Sequence, residues 1–221
     1  MYHLVFDFGA VVFHWQPAQL VAESLPDLAA TPQAVQQMAQ AIFHHQDWLE
    51  FDSGSLTLDA VVRRTAQRLS LPRARLHDLI SGIGEGLHPI EGTVDVLADL
   101  WQRRQQRGDV ALYYLSNMPA AYARTLERKH SFLGWFEGGI FSGDVRRRKP
   151  DPIIYQMLQE RYALNPAQTW FIDDLAENVD VACGLGWQGL QFVSAQQLRS
   201  SLANMLDREV VTAPAWSQGI G

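Results

Sequence analysis

Residues 169–193 read TWFIDDLAENVDVACGLGWQGLQFV. The stretch opens on a short apolar run over 169–172 and stops at two adjacent acids, Asp173 and Asp174. A helical span over 175–185 follows, and then a second strand at 189–193. Strand, helix of this length and strand form a βαβ unit, in which the helix carries the chain back so that the two strands lie parallel. Outward from here the same alternation recurs: a strand at 110–115, a helix over 119–130, a short strand at 139–141 and a helix over 151–163. Residues 2–8, YHLVFDF, add a strand that is apolar nearly throughout, as a parallel strand covered on both faces must be. The expected fold class is α/β, a three-layer Rossmann-like parallel sheet.

Between 17 and 86 the texture is helix after helix. Thr31 precedes Pro32 as an N-cap precedes a first helical position. Val35, Met38, Ala39, Ile42 and Phe43 then fall on one helical face. One helical stretch is expected to run on to the turn Asp52-Ser53-Gly54-Ser55. Leu58, Val61, Val62, Thr65 and Leu69 mark the next helix, and a short one spans 72–80. With no strand pattern, 17–86 reads as a helical domain inserted into a core made of 1–16 and 87–206. In the helix over 93–107, Val94, Leu97, Leu100 and Trp101 are expected to face inward, with Arg103, Arg104, Arg107 and Gly108 closing it. Ser194 and Gln197 form a capping box for the last helix. Residues 207–221, Trp216 among them, show no periodicity and read as a tail.

Composition narrows the class. A chain of 221 residues that is 47% hydrophobic can fill a core and an inserted domain. Its net charge of −6, with arginines scattered along helices, excludes nucleic acid and anionic membrane as expected partners. The single cysteine, Cys183, forms no internal disulfide. With no basic leader and no long apolar run, the expected location is cytoplasmic.

In open parallel sheets ligands bind beyond the carboxyl ends of the strands. Those ends carry Asp7, Ser116-Asn117 and Asp173-Asp174, and Lys149 enters from the loop before Pro150. Singly, each has an ordinary reading: Asp7 a helix cap, Ser116-Asn117 a turn, Lys149 part of the basic run Arg146–Lys149. Two adjacent acids repel each other unless a cation compensates them. The joint placement, in order and at strand ends, points to one polar crevice.

These residues resemble the motifs of the haloacid dehalogenase-like (HAD) hydrolase superfamily: LVFDFGAVVF around Asp7, LYYLSN ending in Ser116-Asn117, RKPDPIIY with Lys149, and WFIDDLAENV with Asp173 and Asp174. The resemblance covers residues 1–200, and in it the stretch 17–86 corresponds to a helical cap. The Asp-x-Gly first motif is most similar to a bacterial subgroup of sugar-phosphate phosphatases known for glucose-1-phosphate. The resemblance implies a Mg²⁺-dependent phosphomonoesterase for a small phosphorylated metabolite. Asp7 would be the nucleophile, and Ser116, Asn117 and Lys149 would hold the phosphoryl group. Asp7, the Gly9 carbonyl and Asp174 would bind the metal, with Asp173 and Asn178 behind them.

The resemblance breaks at Gly9, where most phosphatases of the superfamily carry the acid that protonates the leaving group. Either the leaving group departs without a proton, as from an anomeric or acyl phosphate, or another residue donates one; His14, His44 and His45 are the candidates in sequence. Arg146 stands where relatives often have Gly. Two other readings stay open, a carbon–halogen hydrolase of the same fold and a non-catalytic binding or regulatory member. Trp48, Phe51, His44 and His45 suit either a substrate lining or the core of the helical domain.

Overall fold

The structure is a computed structural model that describes residues 1–208. In chain order it runs β1 (Tyr2–Phe6), α1 (Pro17–Ser24), α2 (Pro32–Phe43), α3 (Gln46–Asp52), α4 (Leu58–Leu69), α5 (Arg73–Gly86), α6 (Glu91–Arg107), β2 (Val110–Ser116) and α7 (Ala120–Lys129). It continues through β3 (Gly138–Phe141), α8 (Ser142–Val145), α9 (Pro152–Arg161), β4 (Thr169–Asp173), α10 (Ala176–Gly184), β5 (Gln188–Gln191) and α11 (Ala195–Arg208). The expected tail begins later than the sequence implies, because 207 and 208 still belong to α11. Residues 209–221, with Trp216, lie outside the described residues.

The strands form one parallel sheet in the order β3-β2-β1-β4-β5. Leu4 at the centre pairs with Leu112 on one side and Trp170 on the other. From β1 the chain builds outward through β2 and β3, then returns to the other side of β1 to lay down β4 and β5. This places the topological switch point at the carboxyl end of β1 beside β4. Alternate side chains bury both faces of the sheet. Leu4, Phe6 and Leu112 pack with α6, α7, α11 and the helices of 17–86. Val5, Tyr113, Leu115 and Phe171 pack against α9 and Trp187.

Beyond β1 the backbone coils tightly instead of continuing as strand to 8. Phe13 N–H donates to Phe8 O at 2.8 Å, and Ala10 takes a positive φ of 57°. Phe8 anchors this coil among Phe13, Tyr114, Phe136 and Phe141. The two crossings into the helical stretch run side by side, with His14 N–H donating to His88 O and Ile90 N–H to Val12 O.

Three further sequence expectations shift. The single helical stretch from Thr31 breaks at His44-His45, where the His45 ring Nδ1 accepts from Asp47 N–H at 3.1 Å and starts α3. The apolar stripe hides the break, since Phe43 and Trp48 meet edge to face across it at 4.7 Å. Second, α5 runs past 80 to Gly86, because Ile83 and Gly84 are also buried. Third, the inward face of α6 is Thr93, Val96, Leu97 and Leu100, while Val94 and Trp101 are only partly covered. The Thr31 cap forms, its Oγ1 accepting from Ala34 N–H at 3.1 Å. At α11, Ser194 accepts from Gln197 N–H, and the Gln197 side chain reaches back to Val193 N–H, one residue earlier than the box requires.

Candidate active site

Asp7 follows β1 directly, and its N–H donates to Ile172 O at 2.9 Å, so β4 fixes where its side chain starts. The carboxylate Oδ1 accepts from Phe8 N–H at 2.6 Å. Lys149 arrives from the loop before α9, with its Nζ 2.9 Å from Asp7 Oδ2 and 2.6 Å from Asp173 Oδ2. Lys149 and Asp173 are buried to within 1% of full enclosure, so this ion pair is not screened by water. Phe171 lies beneath the ammonium, its ring centroid 5.3 Å away.

Asp173 is fully committed to protein partners. Its Oδ1 accepts from Leu175 N–H at 2.8 Å and from Asn178 Nδ2 at 3.0 Å, which ties it to the turn that leads into α10. Asn178 is held in turn by Tyr155, whose hydroxyl donates to its carbonyl. Asn117 has a similar commitment. Its Nδ2 donates to Lys149 O at 3.0 Å and its Oδ1 accepts from Lys149 N–H at 2.8 Å. The Asn117 amide therefore clamps the main chain of Lys149 and aims its side chain. Ser116 differs. Its Oγ is buried, faces Asp7 closely enough to favour that carboxylate's charged form, and makes no standard hydrogen bond among the described residues. It is the orphaned hydroxyl an incoming oxyanion would satisfy.

Electrostatics show what the site lacks. The carboxylates of Asp7, Asp173 and Asp174 bring oxygens within 4.8 Å of one another. Burial pushes Asp7 up to about 7, with Lys149 opposing and Asp173 adding to the rise. Burial and then the Asp173 charge also raise Asp174. Burial alone would lower Lys149, but the charges of Asp7 and Asp173 overcome it and its pKa is raised. Three carboxylates against one ammonium leave a deficit that an oxygen-liganded divalent cation fits.

None of the candidate histidines His14, His44 and His45 joins the three-carboxylate group among the described residues. His14 and His44 are exposed, and the ring of His45 is occupied at the start of α3. Gly9 lies beside Trp15, and a Cβ placed on it would meet only that side chain, at 3.8 Å. Two residues that the sequence did not single out stand over the site, Asp52 at the end of α3 and Arg148 beside Lys149. The carboxyl of Asp52 is close enough to Asp7 and Arg148 to feel both charges. Its only signal in sequence is an acid inside a turn that also reads as an ordinary helix end.

The fold and the crevice define an α/β protein with a lysine-bridged group of carboxylates at the switch point. No protein-family model matches the chain. It is 26% identical over 191 residues to the sesquiterpene phosphatase astK of Aspergillus oryzae, covering 86% of this chain and 89% of that one. It is 27% identical over 165 residues to the chloroplast flavin mononucleotide hydrolase 1 of Arabidopsis thaliana, covering 73% of this chain but 63% of that protein. It superposes with a TM-score of 0.66 on a HAD family enzyme of Bacteroides thetaiotaomicron, solved with magnesium and inorganic phosphate. That match is 18% identical and covers 86% of this chain and 93% of the other. The chain shares the fold of haloacid dehalogenase-like enzymes, and the proteins it is similar to in sequence include phosphatases.

Proposed function

We propose that the protein is a Mg²⁺-dependent phosphomonoesterase acting on a small phosphorylated metabolite through an aspartyl-phosphate on Asp7. The observation that carries this reading is the Lys149 bridge. One buried ammonium holds Asp7 2.9 Å away and is itself held by Asp173 at 2.6 Å, so the Asp7 carboxylate is fixed at a strand end with its charge partly offset. A nucleophile held this way loses little entropy on attack, and splitting transfer into two displacements lowers each barrier. Lys149, the orphaned Ser116 hydroxyl and Asn117 would hold the phosphoryl oxygens. The cation would be held by Asp7, the Gly9 carbonyl and Asp174, with Asp173 and Asn178 behind, and when bound it supplies the charge that neutralises the phosphoryl oxygens.

The carbon–halogen alternative needs no cation and leaves the three-carboxylate group without a use. For the substrate, the sequence resemblance favours a sugar phosphate, while the named relatives act on a sesquiterpene phosphate and on flavin mononucleotide. Phosphate release from hexose phosphates, prenyl phosphates and flavin mononucleotide, with Mg²⁺ and with excess chelator, tests the reading. Chelator-sensitive release from at least one class, lost in Asp7→Asn, is expected. No release from any of them would overturn it.

A further inference from the structure

With glycine two residues after Asp7, the leaving oxygen has no proton donor from the β1 loop. The helical stretch brings one. Asp52 is the last residue of α3, and the Trp48 indole one turn earlier lies close enough to its carboxyl to favour the charged form. Its main chain is bolted to the core. Ser142 Oγ donates to Asp52 O at 2.6 Å and accepts from Met118 N–H at 2.8 Å, two residues beyond Ser116. Gly54 presses against α8 so closely that a Cβ there would lie 2.5 Å from Gly143 O. Asp52 is thereby tied to the loop that carries Ser116 and Asn117. Its carboxyl does not join the 4.8 Å group of Asp7, Asp173 and Asp174, yet it feels the charge of Asp7.

We propose that Asp52 is the general acid and base of the reaction, reaching the leaving oxygen from the helical side and replacing the carboxyl that Gly9 lacks. This rests on the phosphatase reading. As Asp7 Oδ bonds to phosphorus and the phosphorus–oxygen ester bond breaks, the Asp52 proton passes to the departing oxygen. The Asp52 carboxylate then takes a proton from a water whose oxygen attacks phosphorus, Asp7 is released with its electron pair, and Asp52 is protonated again. The groups facing Asp52 suit both halves. They are Trp48 on its own helix, Arg148 beside Lys149, Asp7 after β1 and Tyr122 on α7. Burial raises Asp52 to about 8, with Arg148 and Trp48 opposing and Asp7 adding, so the proton is in place at neutral pH. The Arg148 Nε is buried without a hydrogen-bond partner among the described residues and stabilises the carboxylate once the proton has left.

The test is single-turnover kinetics of the wild type and Asp52→Asn on an alkyl phosphate and on aryl phosphates of graded leaving-group acidity, at saturating Mg²⁺. The alkyl phosphate should slow by roughly 10²–10⁴-fold, and nitrophenyl phosphate by less than about tenfold. Gly9→Asp added to Asp52→Asn should restore the alkyl ester. Inorganic phosphate should bind both proteins alike, which excludes a damaged site. In the wild type, alkyl-ester turnover should fall as pH rises through about 8, with no such limb for nitrophenyl phosphate; this arm needs no variant. Equal slowing across the series, or none, together with a pH profile independent of the leaving group, would overturn the assignment of Asp52 alone. A wild type inactive on every ester would instead sink the phosphatase reading.

Discussion

Lys149 Nζ and Asp173 Oδ2 lie 2.6 Å apart, fully enclosed, at the carboxyl end of the central strands. A pair this deep adds little net stability when intact, because desolvation offsets attraction, but removing one partner strands the other. Lys149→Met should therefore cost about 3–5 kcal/mol in urea unfolding as well as abolish turnover, since it leaves Asp7 and Asp173 buried together without a cation. Adding Asp173→Asn should return part of that stability but no activity. Additive losses in the double variant would show that the two side chains are not coupled.

The two adjacent acids should separate cleanly. Asp173 spends its oxygens on Lys149, Asn178 and Leu175 N–H, whereas Asp174 is the less buried of the two and shares the three-carboxylate group. Asp174→Asn should lose calorimetric Mg²⁺ binding while keeping its fold. Asp173→Asn should lower the Tm and keep measurable binding. The reverse pattern would mean that Asp173 contacts the cation directly. Mg²⁺ at one hundred times its Kd should also stabilise the wild type by about 2.7 kcal/mol, an increment absent in Asp174→Asn.

These residues are legible in the sequence for a physical reason. A buried parallel strand is an apolar run, so the polar residue that ends it stands out, and the apolar runs alone are enough to put Asp7, Ser116 and Asp173 at strand ends. Asp52 has no such marker, because it is tied to the site by long-range contacts such as the Ser142 bond, which spans 90 residues of chain. The His44-His45 break is equally hidden, since Phe43 and Trp48 keep the apolar period intact across it. Asn117 is legible as a site residue but not as the clamp on Lys149, because that depends on a loop whose path sequence does not fix.

The raised pKa of Asp52 has a consequence for stability that is independent of catalysis. In the unfolded chain this carboxyl ionises near 3.8, and in the fold it keeps its proton to about 8. Between those values unfolding releases a proton, so this group's contribution to native stability falls as pH rises, and above about 8 it changes no further. Asp52→Asn has no such proton. Its stability relative to wild type should therefore grow by up to about 1.4 kcal/mol per pH unit from pH 4.5 to 7.5 and level off above 8. Chemical denaturation at five pH values measures this. A constant difference would place Asp52 in water with an ordinary pKa.

Gly54 offers a way to move Asp52 without altering it. Its φ of 72° and its contact with Gly143 leave no space for a methyl group, since the atom met at 2.5 Å is a backbone carbonyl that cannot swing aside. Gly54→Ala should lift the end of α3 off α8 and weaken the Ser142 bond to Asp52 O. Asp7, Lys149 and Asp173 belong to other elements and should keep their geometry, so inorganic phosphate should bind as before. The alkyl ester should slow by more than about tenfold, with nitrophenyl phosphate spared, in the same pattern as Asp52→Asn but smaller. The double variant Gly54→Ala/Asp52→Asn should be no slower on the alkyl ester than Asp52→Asn alone, because a displaced acid and a missing acid remove the same step. If the two losses instead multiply, Gly54 acts on the site by some route other than Asp52.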